Sequence, residues 1–257
     1  MKKIIKEIKD KGIIQVTISD ERWYIKTNGQ GKDIFVPSVT WIASFFPKGI
    51  GFYKWLANTG WNESQAIKEA AGDKGSKVHL AIVDLLDKKE VKMNDQYINN
   101  SIGQKEELTS EEYECLMTFV SWFNKEKPEI VAREMVVFNN KDRYAGTVDL
   151  ICKIKNELYV VDFKTSQSIW PEHEIQVSAY KHALPGPESF NLAILQIGYK
   201  RNKAGYKFTE VEDKFDLFLA AKFIWKAETE GIIPLKKDYP EKLCLNIGTN
   251  ATPAKES

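Results

Sequence analysis

The stretch from Tyr144 to Thr165 constrains the fold of this chain more than any other. Two apolar runs flank the polar pair Lys155-Asn156, and a polar pair in that place predicts a two-residue turn in an antiparallel hairpin. Ile154 then pairs with Glu157, and counting outward sets Asp149 opposite Asp162. Residues opposite one another share a face. One face therefore carries Val148, Leu150, Cys152, Tyr159, Val161 and Phe163, all apolar, which is a core face. The other carries Asp149, Asp162 and Lys164, with Ile151 and Val160 beneath them.

Two carboxylates opposed at about 5 Å repel by roughly 3 kcal/mol at an effective dielectric near 20. A folded chain keeps such a pair if one is protonated or if a cation sits between them. Hard oxygen ligands on a rigid sheet suit Mg²⁺ or Mn²⁺. Lys164, two residues beyond Asp162, adds a positive charge on the same face. Together these groups match what hydrolysis of a phosphodiester needs: a metal to activate water, and an ammonium to orient it or stabilise developing charge. Glu134 joins that face if the preceding turn centres on Asn140-Lys141, a register that pairs Glu134 with Thr147.

The remaining pattern is that of a mixed α/β protein. Ile14 to Ile18 alternates, Ser19-Asp20-Glu21 turns, and Trp23 to Ile25 runs back, which predicts an N-terminal β-meander. Ser38 is placed to cap a helix through Trp41, Ile42 and Phe45, and helical patterns dominate from there to about Lys125. Strands are predicted over Ile130 to Phe138, Tyr144 to Ile154 and Leu158 to Phe163. A helix starts at Pro171 and stops before Pro185-Gly186-Pro187. Strands at Leu192 to Tyr199 and Tyr206 to Val211 and a helix from Asp213 to Thr229 close the chain. The reading is one domain over residues 1–247, with a helical roof at 38–125, a core at 129–230 and a polar tail at 248–257.

Composition mainly excludes. A hydrophobic share of 43% with 28% charged residues rules out a disordered chain. A net charge of +1 means that an anionic partner must be met by a local patch. No apolar stretch approaches ~18 residues, so no membrane span is expected. Met1 to Gly12 carries Glu7 and Asp10 and lacks the apolar core of a secretory signal. The three cysteines, Cys115, Cys152 and Cys244, lie far apart without a CxxC. That excludes a disulfide framework and argues against a thiolate metal cluster. A reducing cytoplasm, bacterial or that of a phage-infected host, is the expected compartment.

Gly146-x-x-Asp149, Asp162-Phe163-Lys164-Thr165 and Gln176-x-x-x-Tyr180, preceded by Gly75-Ser-Lys-Val-His79 and Pro37-Ser-Val-Thr40, form an ordered set of motifs. The set resembles the PD-(D/E)xK nuclease superfamily in its RecB-like exonuclease branch, which includes phage exonucleases and CRISPR adaptation nucleases. Val161 stands where the superfamily name has proline. The resemblance covers about Pro37 to Tyr180. It implies a restriction-endonuclease-like core, a central mixed β-sheet flanked by helices. It also implies His79, Asp149, Asp162 and the Phe163 carbonyl as metal ligands for Mg²⁺ or Mn²⁺, Lys164 as the catalytic lysine and Glu134 as an accessory catalytic acid. Gln176 and Tyr180 become a DNA-contacting pair, and no iron–sulfur cluster is expected.

Each of these residues also has a plainer reading. Asp149, Asp162 and Lys164 suit a surface ion network, although surface pairs stabilise little and the residues beneath them are apolar. His79 shares a helical face with Ile82, Val83 and Leu86 and suits a core histidine. Glu134 suits a structural salt bridge, Gln176 and Tyr180 suit helix packing, and His173 on their face suits solvent. Lys200-Arg201-Asn202-Lys203, with Tyr199, Tyr206 and Lys207, reads as a solvated hairpin tip or as a phosphate-tracking patch. Trp41, Phe45, Phe46, Phe52, Tyr53 and Trp55 read as core rather than as a base-stacking platform.

The combined expectation is a metal-dependent DNA nuclease leaving 5′-phosphate and 3′-hydroxyl ends. An exonuclease of recombination, repair or phage DNA processing is favoured, with single-stranded DNA or duplex ends as partner and a recombination or replication protein as a further one. The alternatives are a structure-specific endonuclease and a non-cleaving DNA-binding or assembly subunit; the intact Asp, Asp and Lys argue against the last.

Overall fold

The computed structural model describes residues 4–8, 13–18, 21–27, 31 and 33–230. Cys244, the 248–257 tail and Ser19-Asp20 of the first expected turn lie outside them. Strands β1 (Ile4–Ile8), β2 (Ile13–Ile18), β3 (Glu21–Thr27) and β4 (Asp33–Pro37) form a sheet in that order, antiparallel throughout. Helix α1 (Val39–Ala43) follows at once because Ser38 caps it, the Trp41 N–H donating to Ser38 Oγ at 3.1 Å. Trp41 then meets Trp23 of β3 edge-on, with ring centroids 5.0 Å apart, and so fastens the meander to the helices.

Helices α2 (Ile50–Thr59) and α3 (Trp61–Leu86) are joined at Gly60, whose φ of 83° is open to glycine alone without strain. The helical pattern then breaks sooner than expected. Residues Gln96–Asn99 (β5) and Gln104–Glu107 (β6) form a small hairpin before α4 (Ser110–Glu126). Tyr97 is its one buried strand residue, and its hydroxyl reaches Asp84 at 3.1 Å. A single buried side chain gives no alternation to read. Thr109 and Glu112 make a reciprocal capping box that starts α4.

The central sheet is built from β7 (Glu129–Asn139), β8 (Tyr144–Ile154), β9 (Glu157–Lys164), β10 (Asn191–Ile197) and β11 (Tyr206–Val211) in the order β11-β10-β9-β8-β7. Every neighbouring pair is antiparallel except β9–β10, which is parallel because α5 (Pro171–His182) makes the crossover between them. Helix α6 (Phe215–Thr229) ends the described chain. The sheet is mixed and has helices on both faces, which is the expected class.

Strand periodicity divides the core. Cys152, Val161 and Leu195 pack with Val78 and Ile82 of α3 and Phe119 and Trp122 of α4. Their neighbours Ile151, Val160 and Ile194 pack with Ile42 of α1, Ile175 and Ala179 of α5 and Phe218 of α6. Val148, expected with Leu150, packs instead on the α5 side. The aromatic run before α3 also divides. Trp41, Phe45 and Phe46 pack against the core as expected, whereas Phe52, Tyr53 and Trp55 are 40%, 53% and 38% exposed. Helix α2 buries none of its residues, because its main neighbour is α3 and, among the described residues, no second layer covers it.

Candidate metal centre and active site

The hairpin has the expected register. Lys155 and Asn156 have φ of 51° and 69°, the left-handed pair of a two-residue turn whose twist suits the strands it joins. The ladder runs from Ile154↔Glu157 to Leu150↔Val161 and stops there. One step farther out, the two aspartates part. Asp149 Oδ2 accepts the Phe163 N–H at 2.7 Å, so a side chain takes over from the backbone ladder.

The neighbouring strand departs from the expected register too. Asn139 pairs with Tyr144, so the β7–β8 turn is longer than the expected one, and Thr147 faces Val136 rather than Glu134. Glu134 falls between the pairs Arg133↔Leu150 and Met135↔Val148, which sets it opposite Asp149 with φ at 44°. A left-handed glutamate inside a strand breaks the alternation, as a bulge does. At the same step of β8, Val148 and Leu150 pack on different faces, and Asp149 turns towards His79 of α3 rather than sharing a face with Asp162 as expected.

Helix α3 crosses this end of the sheet and supplies His79. Its Nε2 donates to the Phe163 carbonyl at 3.1 Å, and its Nδ1 lies 3.5 Å from Asp149 Oδ1. Burial alone lowers the pKa of His79, but the Asp149 carboxylate outweighs burial and raises it to about 9. For Asp149, burial acts upward and is outweighed by the charge and hydrogen bond of His79, by Lys164 and by the Phe163 N–H, so its pKa is lowered. One ligand atom each from His79, Glu134 and Asp149 lies within 4.8 Å of the others. This cluster takes in Glu134, expected only as an accessory acid, and leaves out Asp162.

Asp162 is nearly sealed, at 1% exposed. Its Oδ1 accepts from Gln176 Nε2 at 3.1 Å. Lys164 Nζ lies 2.6 Å from Oδ2, so the ammonium is the partner of that buried oxygen. Burial dominates and lifts the Asp162 pKa to about 6 against the opposing pull of Lys164.

Helix α5 closes the site from the other side. Gln176 bridges three groups: Nε2 donates to Asp162 and to the Tyr180 hydroxyl at 2.9 Å, and Oε1 lies 3.5 Å from Lys164 Nζ. Gln176 and Tyr180 are 9% and 4% exposed, so in this structure their polar ends meet one another and Asp162 rather than facing outward. Gly146 makes room for them, since a β-carbon there would sit 2.4 Å from the Tyr180 ring. That is a physical reason for the glycine three residues before Asp149.

The basic tip is tied down. Lys200 lies 3.1 Å from Glu111, which also holds Lys74 at 3.0 Å. Gln167, in the loop after β9, bonds the Gly198 carbonyl and the Lys200 N–H, both at 2.8 Å. Cys115 and Cys152 take no part. Both are buried and free, and burial raises their thiols to about 11 and about 12. Sequence reasoning left His173 to solvent. The structure half-buries it beside Lys164, and its one sequence signal is a place on the face of Gln176 and Tyr180.

The donor set fits a hard or borderline divalent cation. Two carboxylates and an imidazole converge, and the buried Asp162 carboxylate is near enough to act electrostatically on His79 and to feel Asp149. No known family's sequence profile matches the chain, and no curated protein matches it. Among solved structures it is similar to Can2 from Sulfobacillus thermosulfidooxidans, whose structure is in complex with cyclic tetra-adenylate. The identity is 12% and the TM-score 0.24, over 79% of this chain and 61% of that one. The chain thus spans less than two thirds of its neighbour, and a likeness this distant carries no argument about activity.

Proposed function

We propose that this protein is a divalent-metal-dependent deoxyribonuclease acting on DNA ends. The observation that carries the reading is the convergence of His79, Glu134 and Asp149 within 4.8 Å beside the buried Asp162–Lys164 pair. His79, Glu134 and Asp149 would hold the ion, with the Asp162 carboxylate near enough to act electrostatically on His79. When bound, Mg²⁺ or Mn²⁺ supplies charge neutralisation at a phosphate and a more acidic water.

The chain's own groups do the rest. His79 gives up its ring proton when it ligates, and the pull that Asp149 exerts on that proton makes loading depend on pH. Asp162 and Gln176 hold the Lys164 ammonium, which keeps a positive donor ready for the attacking water or for charge building on the phosphate. Among the described residues no helix is long and apolar enough to cross a membrane. The test is incubation of the protein with end-labelled linear DNA and closed-circular DNA, each single- and double-stranded, with Mg²⁺, Mn²⁺ or EDTA. Metal-dependent shortening of linear DNA with circles left intact is expected. Cleavage of circles would shift the reading to an endonuclease, and binding without cleavage in any metal would make the chain a non-cleaving subunit.

A further inference from the structure

His173 has no part in the site so far. It is the third residue of α5, one turn before Gln176 on the same face. The Trp170 N–H donates to His173 Nδ1 at 3.3 Å, doing at this helix start what a glutamate does in a capping box. A ring nitrogen that accepts a hydrogen bond carries no proton, so the neutral ring is the Nε2–H tautomer and its distal atom is a donor. Burial, followed by the charges of Lys164 and Lys48, lowers its pKa to about 3. The ring therefore stays neutral, and it lies one turn from Gln176, whose Oε1 is 3.5 Å from the Lys164 ammonium. Glu172 pairs with Lys48, and Asp162 pairs with Lys164. A third cation here would repel the other two, whereas a neutral N–H adds a donor for an anion without that cost.

We propose that His173 is a substrate-binding residue whose Nε2–H donates to a phosphate oxygen of the nucleic-acid strand next to the scissile bond, alongside Lys164. This rests on the nuclease reading and adds to it a contact that carries no charge. Phosphate contacts of this kind set the register of a strand rather than its sequence.

Two substitutions separate this role from helix capping. His173→Asn keeps an acceptor for the Trp170 N–H but has no distal donor. His173→Gln keeps in Oε1 an acceptor for the cap, glutamine being a residue that a capping box uses at this position, and places an amide donor near the position of Nε2. The measurements are single-turnover cleavage of end-labelled DNA in Mg²⁺, DNA-binding anisotropy in Ca²⁺ over a salt series, and a thermal melt. H173N is expected to melt like wild type, lose about tenfold in DNA affinity and cleavage, and keep the wild-type salt slope because no charge is removed. H173Q is expected to melt like H173N yet bind and cleave DNA better, a difference between equally stable variants that a purely structural histidine does not produce. Wild-type binding and cleavage in H173N, or losses that follow the melting temperatures, would overturn the inference alone. Wild-type protein that neither binds nor cleaves DNA would overturn it together with the nuclease reading.

Discussion

Asp149 and Asp162 sit one step beyond the same hairpin ladder, and the fold treats them in opposite ways. Asp149 meets His79 and the Phe163 N–H, and its pKa is lowered. Asp162 is enclosed with Lys164 and Gln176, and burial lifts its pKa to about 6. The first is a stabilised carboxylate at the open end of the sheet, in ligand range of His79 and Glu134. The second is a strained charge under α5. Strand pairing brings two like groups together, and the helices crossing each face decide what each group is able to do. On the function proposed above the site is two half-sites: one would collect a cation, and the other would aim an ammonium.

Four experiments break or sharpen that division. Metal removal acts on the Asp149 half and has the largest expected effect. Excess EDTA should abolish cleavage, and added Mn²⁺ should restore it and stabilise the fold by about 2.7 kcal/mol at a hundredfold excess over the dissociation constant, read as a rise in melting temperature. Undiminished cleavage in EDTA would remove the cation from the first half. Lys164→Ala acts on the other half. Cleavage should fall by about 10³-fold while the Mn²⁺-induced rise in melting temperature persists, because His79, Glu134 and Asp149 are untouched. Cleavage at the wild-type rate would return Lys164 to a structural ion pair.

Gln176→Ala should have a smaller effect, lowering cleavage by about tenfold by freeing Lys164 and leaving Asp162 Oδ1 without its donor. The expected loss of stability is about 1–3 kcal/mol, the cost of leaving a buried acceptor unpaired, measured by denaturant titration. Normal cleavage per folded molecule would mean that Gln176 only packs. The finest test compares Asp149→Asn with Asp162→Asn by thermal melt in EDTA. D149N should destabilise by about 1.5–3 kcal/mol, since it weakens a charged hydrogen bond and unpairs His79. D162N should cost less than D149N, because it removes the buried charge that lifts the Asp162 pKa, and the Lys164 side chain it leaves without a partner is 18% exposed and reaches water. Equal losses would show that the two carboxylates are not distinguished in this way.

Much of this was readable from local pattern. The Lys155-Asn156 turn and the pairing of Ile154 with Glu157 follow from two apolar runs around a polar pair, and Ser38 and Thr109 cap helices by rules that act within one turn. The register of Glu134 was not readable in the same way. It depends on the length of the 140–143 loop and on a left-handed residue inside β7, and neither leaves a periodic trace. The exposure of Phe52, Tyr53 and Trp55 was hidden for a different reason. Amphipathic spacing says which residues could be buried, not whether another layer arrives to cover them.

Strand alternation, turn chemistry and capping in the sequence by themselves determined a mixed sheet with Asp149, Asp162 and Lys164 at one end of a hairpin. Only the tertiary structure decided that Glu134 stands in mutual ligand range of His79 and Asp149, and that Gln176 turns inward to Asp162. Hairpin pairing is settled by neighbours a few residues apart, so composition and spacing record it. The environment of a carboxylate is settled by what crosses it from α3 and α5, elements far away in the chain, and a linear pattern carries no measure of that distance.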